Sequence, residues 1–273
     1  AAPAARTPRV EAPTPPDLER HVLREVPLSH LFPYLNLQML YGKHLGLRGA
    51  VTRLLETHDA KAEELRAVVE QVQAEAARDG LLHAHGVYQW YRARAAGETL
   101  TLFAPDGAET ARFTFPRQPA GERLCLADYV RDDRDDFVAL FAVSCGAGVR
   151  ERAAAWKERG DYLRSHVLQA LAVECAEAFA EWLHARLRTL WGFPDPPDLS
   201  VADKLKARYR GLRVSFGYPA CPDLADQATL WRLLRPEEIG IALTEGFMMD
   251  PEASVSALVF HHPAARYFKA SAD

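Results

Sequence analysis

Residues 213–223 have the sequence Arg-Val-Ser-Phe-Gly-Tyr-Pro-Ala-Cys-Pro-Asp, which combines residue types suited to holding a ligand. Pro219 and Pro222 lack a backbone N–H, so this segment cannot be a central strand, and its free backbone groups must bond elsewhere. Gly217 allows a flat heterocycle to approach the backbone closely, and Arg213 can hold a carboxylate through two parallel hydrogen bonds. From these residues alone, a structural turn between two elements is the simpler interpretation.

Three other patterns resemble metal-binding or reactive arrangements. Glu181 and His184 have the Glu-x-x-His spacing of di-iron helical bundles, but the sequence lacks the second such motif, which favours a surface pair on a helix. His261 and His262 are adjacent, so on a strand their rings point to opposite faces and cannot share one metal ion. Cys221 has no histidine partner nearby in sequence, which argues against a nucleophile. We therefore predict no metal site and no catalytic residue in this chain.

A run of cations leads into the candidate segment and ends on its first residue. Five occur within ten residues: Lys204, Lys206, Arg208, Arg210 and Arg213. Such a run is usually a solvated face. Because this one lies beside a candidate ligand segment, steering of an acidic partner protein is the alternative.

Composition limits the function classes that remain. The chain has 273 residues, 48% hydrophobic and 26% charged, as in an ordinary globular protein. Its net charge of −4 gives no positive field for nucleic acid or an acidic membrane, and no apolar run reaches the roughly 18 residues of a membrane span. The four cysteines are scattered without a Cys-x-x-Cys pair, which favours reduced thiols in a cytoplasmic protein.

The apolar pattern predicts two long helices and several short ones. Residues 17–80 have a helical pattern throughout, and within them an amphipathic helix over 59–79 ends at Gly80. Apolar residues at steps of three and four predict a second long helix over 148–190. Shorter helices are predicted near residues 200–209 and 226–234.

Short β-rich runs separated by turn residues predict the strands. These runs cover residues 87–91, 99–103, 111–115, 137–144, 240–244 and 255–261. Helices and strands do not alternate regularly, so we expect an α+β fold, with a twisted antiparallel sheet flanked by helices. Residues 1–16 are almost only Ala, Pro, Thr, Arg and Glu, which predicts a flexible linker followed by one domain over 17–273.

The segment at 213–223 resembles the Arg-x-x-x-Gly-Tyr-Pro-Ala-Cys-Pro signature of the activation domain of cobalamin-dependent methionine synthases. Further strings agree with that family in the same order: LCLADYV at 124–130, FVALFAVSCG at 137–146, AEAFAEWLHARLR at 176–188 and IGIALTEGFMMDPEASVSALVFHHPAARYF at 239–268. The resemblance covers roughly residues 25–268, which is most of the chain.

The resemblance implies that the signature segment lies along S-adenosylmethionine. Arg213 would hold the methionyl carboxylate of this ligand. The backbone around Ser215, Gly217, Tyr218 and Pro219 would contact the adenine and the amino-acid part.

Residues outside the signature also receive roles from the resemblance. Tyr267, with Phe268 beside it, would pack near the ribose and the sulfonium, a cation that an aromatic face attracts. Glu177 matches a family glutamate near the same ligand, although a solvated helix carboxylate fits it equally well. His30 stands where better-known members carry an aspartate, so the ligand's amino group would need another partner, for which Asn36 is a candidate.

As the resemblance implies, the domain presents the methyl group of S-adenosylmethionine to cobalamin held by a neighbouring domain of the same enzyme. The parent enzyme transfers a methyl group from methyltetrahydrofolate to homocysteine, and a flavodoxin-like protein supplies the electron needed for reactivation. The isolated domain would not turn over the main reaction. Two alternatives stay open: a stand-alone reactivator of a corrinoid protein, and a flavoprotein-docking module that has lost ligand binding.

Overall fold

The structure is a computed structural model that describes residues 7–270. Its strands are β1 (His21–Leu23), β2 (His85–Ala96), β3 (Thr99–Phe103), β4 (Glu109–Thr114), β5 (Asp136–Ser144), β6 (Leu212–Val214), β7 (Ala242–Leu243), β8 (Met249–Asp250) and β9 (Ser254–Phe260). Its α-helices are α1 (Leu28–Leu31), α2 (Val51–Glu56), α3 (Ala60–Asp79), α4 (Val149–Glu158), α5 (Tyr162–Leu190), α6 (Val201–Lys204) and α7 (Asp226–Leu234). Shorter helical turns cover Phe32–Tyr34, Gln38–His44, Leu126–Tyr129 and Pro236–Ile239.

Within the described residues, the domain contains one antiparallel sheet of seven strands. Six of them follow the order β4-β3-β2-β5-β9-β6, and the seventh, β1, pairs with β2. The long strand β2 pairs along one edge with β5, and along the other with β1 and then β3. Strand β6 lies at the end of this order and pairs only with β9 among the described strands. The edge position of β6 leaves the chain free to turn away after Val214, which places the signature segment at the rim of the sheet.

Both faces of the sheet are covered. Along β5, Ala139, Phe141 and Val143 face a core cluster shared with α3 and α5. The alternate residues Val138 and Leu140 face a second cluster, shared with α7 and the turn at Leu126–Tyr129. A strand that is covered on both faces has an unbroken run of apolar residues in its sequence, as β5 does. The α+β prediction with an antiparallel sheet is therefore confirmed.

The two long helices show how local sequence signals set their ends. At the start of α3 the Asp59 side chain accepts hydrogen bonds from the first-turn amides of Lys61 and Ala62, and Gly80 ends the helix at a φ of 62°. The prediction of this helix is confirmed. The prediction of one continuous helix over 148–190 is wrong, because Gly160, with a φ of 82°, separates α4 from α5.

Other elements differ from their sequence predictions. The helical prediction for residues 17–80 is wrong at its start, where β1 is a strand that extends the sheet beside β2. This strand has only three residues, His-Val-Leu, too few to show an alternation of its own, and its conformation comes from pairing with β2. The helix predicted near 200–209 is limited to α6. Residues 212–214, predicted as part of a turn, form the edge strand β6.

The N-terminal segment lies on the domain surface without regular secondary structure over residues 7–16. Three side chains of the domain donate hydrogen bonds to its carbonyls: His262 to Pro8, Arg131 to Val10 and Trp191 to Pro13. Residues 1–6 lie outside the described residues, so the flexibility of the whole of 1–16 stays a prediction. None of the helices in the described part is both long and apolar enough to cross a membrane.

Candidate functional site

The alternation of strand β6 directs its residues to two different faces of the sheet. Leu212 and Val214 are buried in the cluster that contains α7. Arg213, between them, therefore points to the opposite face, towards helix α5. There its guanidinium forms an ion pair with Glu181, 2.8 Å from Nη1 to Oε2. The alternation of side chains along the short strand β6 therefore places this arginine against the long helix α5.

Arg213 is held by one of its nitrogens. Nη1 lies 2.8 Å from Glu181 Oε2, 3.0 Å from the Tyr209 hydroxyl and 3.4 Å from His184 Nδ1. Burial has the largest single effect and lowers the pKa of Arg213, but the charge and hydrogen bond of Glu181, together with Tyr209 and Glu177, outweigh it and raise that pKa. Burial and two neighbouring arginines lower the pKa of His184 well below its ordinary value, so this imidazole stays neutral and can accept a hydrogen bond.

The other edge of the Arg213 guanidinium is unpaired within residues 7–270. Every hydrogen bond of the side chain to this part of the protein runs through Nη1, which leaves Nε–H and Nη2–H as two parallel donors. The same chain shows what this edge can hold. Arg188 binds Asp195 through Nε and Nη2, at 2.5 Å and 2.7 Å to the two carboxylate oxygens. Arg213 therefore offers a carboxylate-binding edge while its other edge is fixed.

A second carboxylate, that of Glu177, lies close enough to Arg213 for their charges to shift each other's pKa. Glu177 precedes Glu181 by one turn of α5 and is solvent-exposed. The protein packed around Glu177 raises its pKa, whereas the positive charge of Arg213 acts in the opposite direction. Arg213 and Glu177 thus bring a positive and a negative charge near one another, the two charges that would complement the carboxylate and ammonium groups of an amino acid.

After β6 the signature forms a tight turn. The Gly217 amide donates to the Cys221 carbonyl at 2.9 Å, and the Cys221 amide donates to the Tyr218 carbonyl at 2.9 Å. Gly217 has a φ of 87°, and a Cβ there would lie 3.1 Å from a methyl carbon of Leu224, so the turn requires glycine. The Ser215 hydroxyl donates to the Ser256 carbonyl at 2.7 Å, which anchors the turn to β9.

The turn and the C-terminal segment are neighbours. The Ala270 amide donates to the Pro219 carbonyl at 3.3 Å. Tyr218 and Tyr267 are 59% and 49% exposed. Burial is the main cause that raises the pKa of Tyr267, and Cys221 and Tyr218 lie close enough to raise it further. Two accessible aromatic rings therefore lie at this rim of the domain.

The predicted site residues thus form two adjoining groups. Arg213 lies against α5, which carries Glu177. Ser215, Gly217, Tyr218 and Pro219 belong to the turn, and Tyr267 lies near it. Phe268 differs from Tyr267, because its side chain is buried in the cluster that contains α7. A cavity of about 430 Å³ borders Tyr267 and Phe268, with Gln118, Leu124 and Arg266 among its other walls.

Comparison with known proteins identifies the family of the chain. Residues 27–272 match the family described as the activation domain of vitamin B12 dependent methionine synthase. The chain belongs to this family. The resemblance inferred from the signature is therefore confirmed.

Relatives of this activation domain include the methionine synthases of Mycobacterium leprae (strain TN) and Mycobacterium tuberculosis (strain ATCC 25618 / H37Rv). Each is 32% identical to this chain in an alignment that covers 95% of this chain. The chain spans 23% of the length of each relative. The crystal structure of the MetH reactivation domain bound to AdoHcy matches with a TM-score of 0.90 at 28% identity, covering 96% of this chain and 84% of that one.

The structure locates His30, which stands at the family's aspartate position, and Asn36, the candidate partner of the ligand's amino group. His30 stacks on Trp182 of α5, with ring centroids 6.0 Å apart. The side-chain oxygen of Asn36 accepts a hydrogen bond from the Met39 amide at 3.1 Å, at the start of the turn Gln38–His44. Asn36 therefore serves the backbone of this activation domain as a local cap.

Sequence reasoning missed the residues that fix Arg213. Glu181 and His184, expected as a surface pair, are both buried and both contact Arg213. Their spacing of three, which places them on one face of α5, was the available signal. Tyr209 completes this group, because the Arg188 guanidinium covers its ring at 3.8 Å while its hydroxyl contacts Arg213.

The remaining motifs have structural contacts. His261 lies 2.6 Å from Asp136, and His262 contacts the Pro8 carbonyl. The Cys221 thiol donates to the Ser215 carbonyl, and burial raises the pKa of this thiol to about 12, which keeps it protonated. The cation run is largely paired within the domain, as Lys204 contacts Asp195, Arg208 contacts Asp203 and Arg210 donates to the His261 carbonyl.

Proposed function

We propose that this activation domain binds S-adenosylmethionine and presents its methyl group to cobalamin held by a neighbouring domain of a methionine synthase. The observation that carries the proposal is the Nε/Nη2 edge of Arg213, which has no partner among residues 7–270, while Glu181 binds the guanidinium through Nη1. An amino-acid carboxylate is a planar acceptor that matches this edge with two hydrogen bonds. Glu177 supplies the negative charge that the ammonium group of the same amino acid requires.

The turn supports the remainder of the ligand. The Tyr218 amide donates no hydrogen bond to any residue in the described part of the chain, so it is available to a ligand. The rings of Tyr218 and Tyr267 can stack on a heterocycle or face a sulfonium cation. Contacts through backbone and exposed rings hold a ligand at the rim of the domain without enclosing it. A methyl group that must reach another domain needs such an open position, because reacting atoms must approach to about 3–3.5 Å.

The chemistry proposed for this domain is positioning. S-adenosylmethionine would supply the methyl group, and cobalamin of the neighbouring domain, reduced by one electron from a flavodoxin-like donor, would accept it. Arg213 and Glu177 would fix the amino-acid end of the ligand, and no proton transfer by a side chain of the domain is needed. The homology to methionine synthases supports a parent enzyme that methylates homocysteine in the cytoplasm, and the four free cysteines accord with that compartment.

Isothermal titration calorimetry with S-adenosylmethionine and with S-adenosylhomocysteine tests the proposal. We expect one binding site per chain and much weaker binding by the Arg213→Ala variant. Arg208→Ala is the matched control, since this exposed cation lies five residues before Arg213 and contacts only Asp203 among the described acidic residues. Absence of binding by the wild-type chain would instead favour a module that docks a flavoprotein without a ligand.

A further inference from the structure

Glu25, His83 and His85, none of which belongs to the signature segment, bring three potential metal ligands together at the surface. Their ligand atoms all lie within 4.8 Å of one another. One carboxylate oxygen of Glu25, Oε1, is 3.1 Å from His83 Nδ1 and 3.3 Å from His85 Nε2. Two imidazole nitrogens and a carboxylate oxygen are ligands that zinc and similar divalent ions accept.

The backbone positions these three side chains before any ion binds. Leu23 pairs with Gly86 in the sheet, and the Val26 amide donates to the Ala84 carbonyl at 2.9 Å. These two connections flank Glu25 on one segment and His85 on the other. Glu25 adopts a φ of 49°, a conformation that is uncommon for residues other than glycine and that recurs where a side chain has a specific task.

The two histidines share a direction because one residue separates them. Ala84 is buried in the core cluster that contains α3, so His83 and His85 on either side of it point outward. Their rings are parallel within 2°, with centroids 6.3 Å apart. The side chain of His83 is 40% exposed and that of His85 is 17% exposed, so an ion can reach the group from solvent.

The two distances from Glu25 Oε1 to the histidine nitrogens fit a bound ion. Zinc–nitrogen and zinc–oxygen bonds of about 2.0–2.1 Å place neighbouring tetrahedral ligand atoms roughly 3.3 Å apart, and octahedral ones about 2.9 Å apart. The 3.1 Å and 3.3 Å separations from Oε1 lie in this range. We propose that Glu25, His83 and His85 form a binding site for a divalent transition-metal ion of the zinc class, with water in the remaining coordination positions. The ion would link the segment before α1 to the start of β2.

Without metal, the same contacts form a histidine–carboxylate hydrogen-bond group. The metal-bound and metal-free states differ in the position of the ring proton of His85. The Glu25 amide donates to His85 Nδ1 at 3.3 Å, which places the ring proton of neutral His85 on Nε2. A metal ion at Nε2 requires its lone pair, so the ring proton moves to Nδ1 and the long bond from the Glu25 amide is lost. Metal binding therefore has a signature at the Glu25 amide that hydrogen bonding alone lacks.

Titration of the tag-free, chelator-treated chain with zinc chloride tests this proposal by calorimetry. We expect one site per chain, and at least tenfold weaker binding by His83→Ala and by Glu25→Gln. The control is His58→Ala, because His58 and Glu63 form an exposed pair 3.2 Å apart without a second histidine. In the wild-type NMR spectrum, zinc should shift the Glu25 amide and the His83 and His85 ring signals. No zinc binding, or equal binding by the wild type and both variants, would overturn the proposal, as would an unchanged Glu25 amide.

Discussion

The Arg213–Glu181 pair makes a prediction in which stability and ligand affinity separate. In the Arg213→Ala variant, Glu181 remains buried without its only charged partner within the described residues, and Glu181 Oε1 already has no partner there. Loss of one member of a buried pair costs about 3–5 kcal/mol, because the other charge stays desolvated. Arg213 is 21% exposed, so water can replace part of the contact and we expect about 3 kcal/mol. For a chain of this length, this is a fall in Tm of about 6–12 °C.

The same substitution removes the proposed carboxylate contact. Hydrogen bonds to a charged group contribute about 1.5–3 kcal/mol, so affinity for S-adenosylmethionine should fall roughly ten- to 150-fold. The double variant Arg213→Ala/Glu181→Gln replaces the stranded charge by a neutral amide. We expect it to recover at least half of the lost stability and none of the lost affinity.

Differential scanning calorimetry and titration calorimetry, performed well below the lowest Tm, measure the two effects on the same samples. Arg208→Ala should match the wild type in both. If the double variant recovers affinity together with stability, Arg213 acts only through the fold, and the carboxylate-binding role is refuted. Unchanged affinity in the single variant would refute it directly.

Four further outcomes are expected. Tyr267→Ala should weaken binding of S-adenosylmethionine about two- to thirtyfold, because a cation–π contact contributes about 0.5–2 kcal/mol. S-adenosylhomocysteine has an uncharged sulfur, so titration with this ligand should show a smaller loss of affinity. Glu177→Gln should weaken both ligands by a similar factor, because both carry the amino-acid ammonium that this carboxylate faces. Burial, followed by repulsion from Asp223, raises the pKa of Asp226 from 3.8 to about 6, so its ionisation destabilises the fold as pH rises through that window. Asp226→Asn should therefore leave stability unchanged below about pH 4 and increase it by about 1 kcal/mol above pH 6 in denaturation curves, after allowance for solvent screening. The isolated chain should show no methylation of homocysteine in a turnover assay, since it spans 23% of the length of its methionine synthase relatives.

Elements with strong local signals were predictable. The helix α3 has an apolar stripe, Asp59 at its start and Gly80 at its end, so the sequence contains both its face and its limits. The strand β5 is an unbroken apolar run because it is buried on both faces. In contrast, β1 has three residues of mixed character, and only pairing with β2 makes it a strand. The split between α4 and α5 depends on Gly160, whose left-handed conformation is one of several that glycine adopts.

The sequence by itself determined the family and the segment that carries the signature, because Gly217 and the prolines restrict the backbone locally and the string is distinctive. The tertiary structure determined which guanidinium nitrogens of Arg213 have partners. Pairing of β6 with β9 turns the arginine towards α5, and there Glu181, His184 and Tyr209 fix Nη1 and leave Nε and Nη2 unpaired within residues 7–270. The same holds for Glu25, which lies 58 positions before His83 and 60 before His85 and meets them because β1 pairs with β2. Contacts between distant segments depend on sheet register, and register is a property of the folded chain.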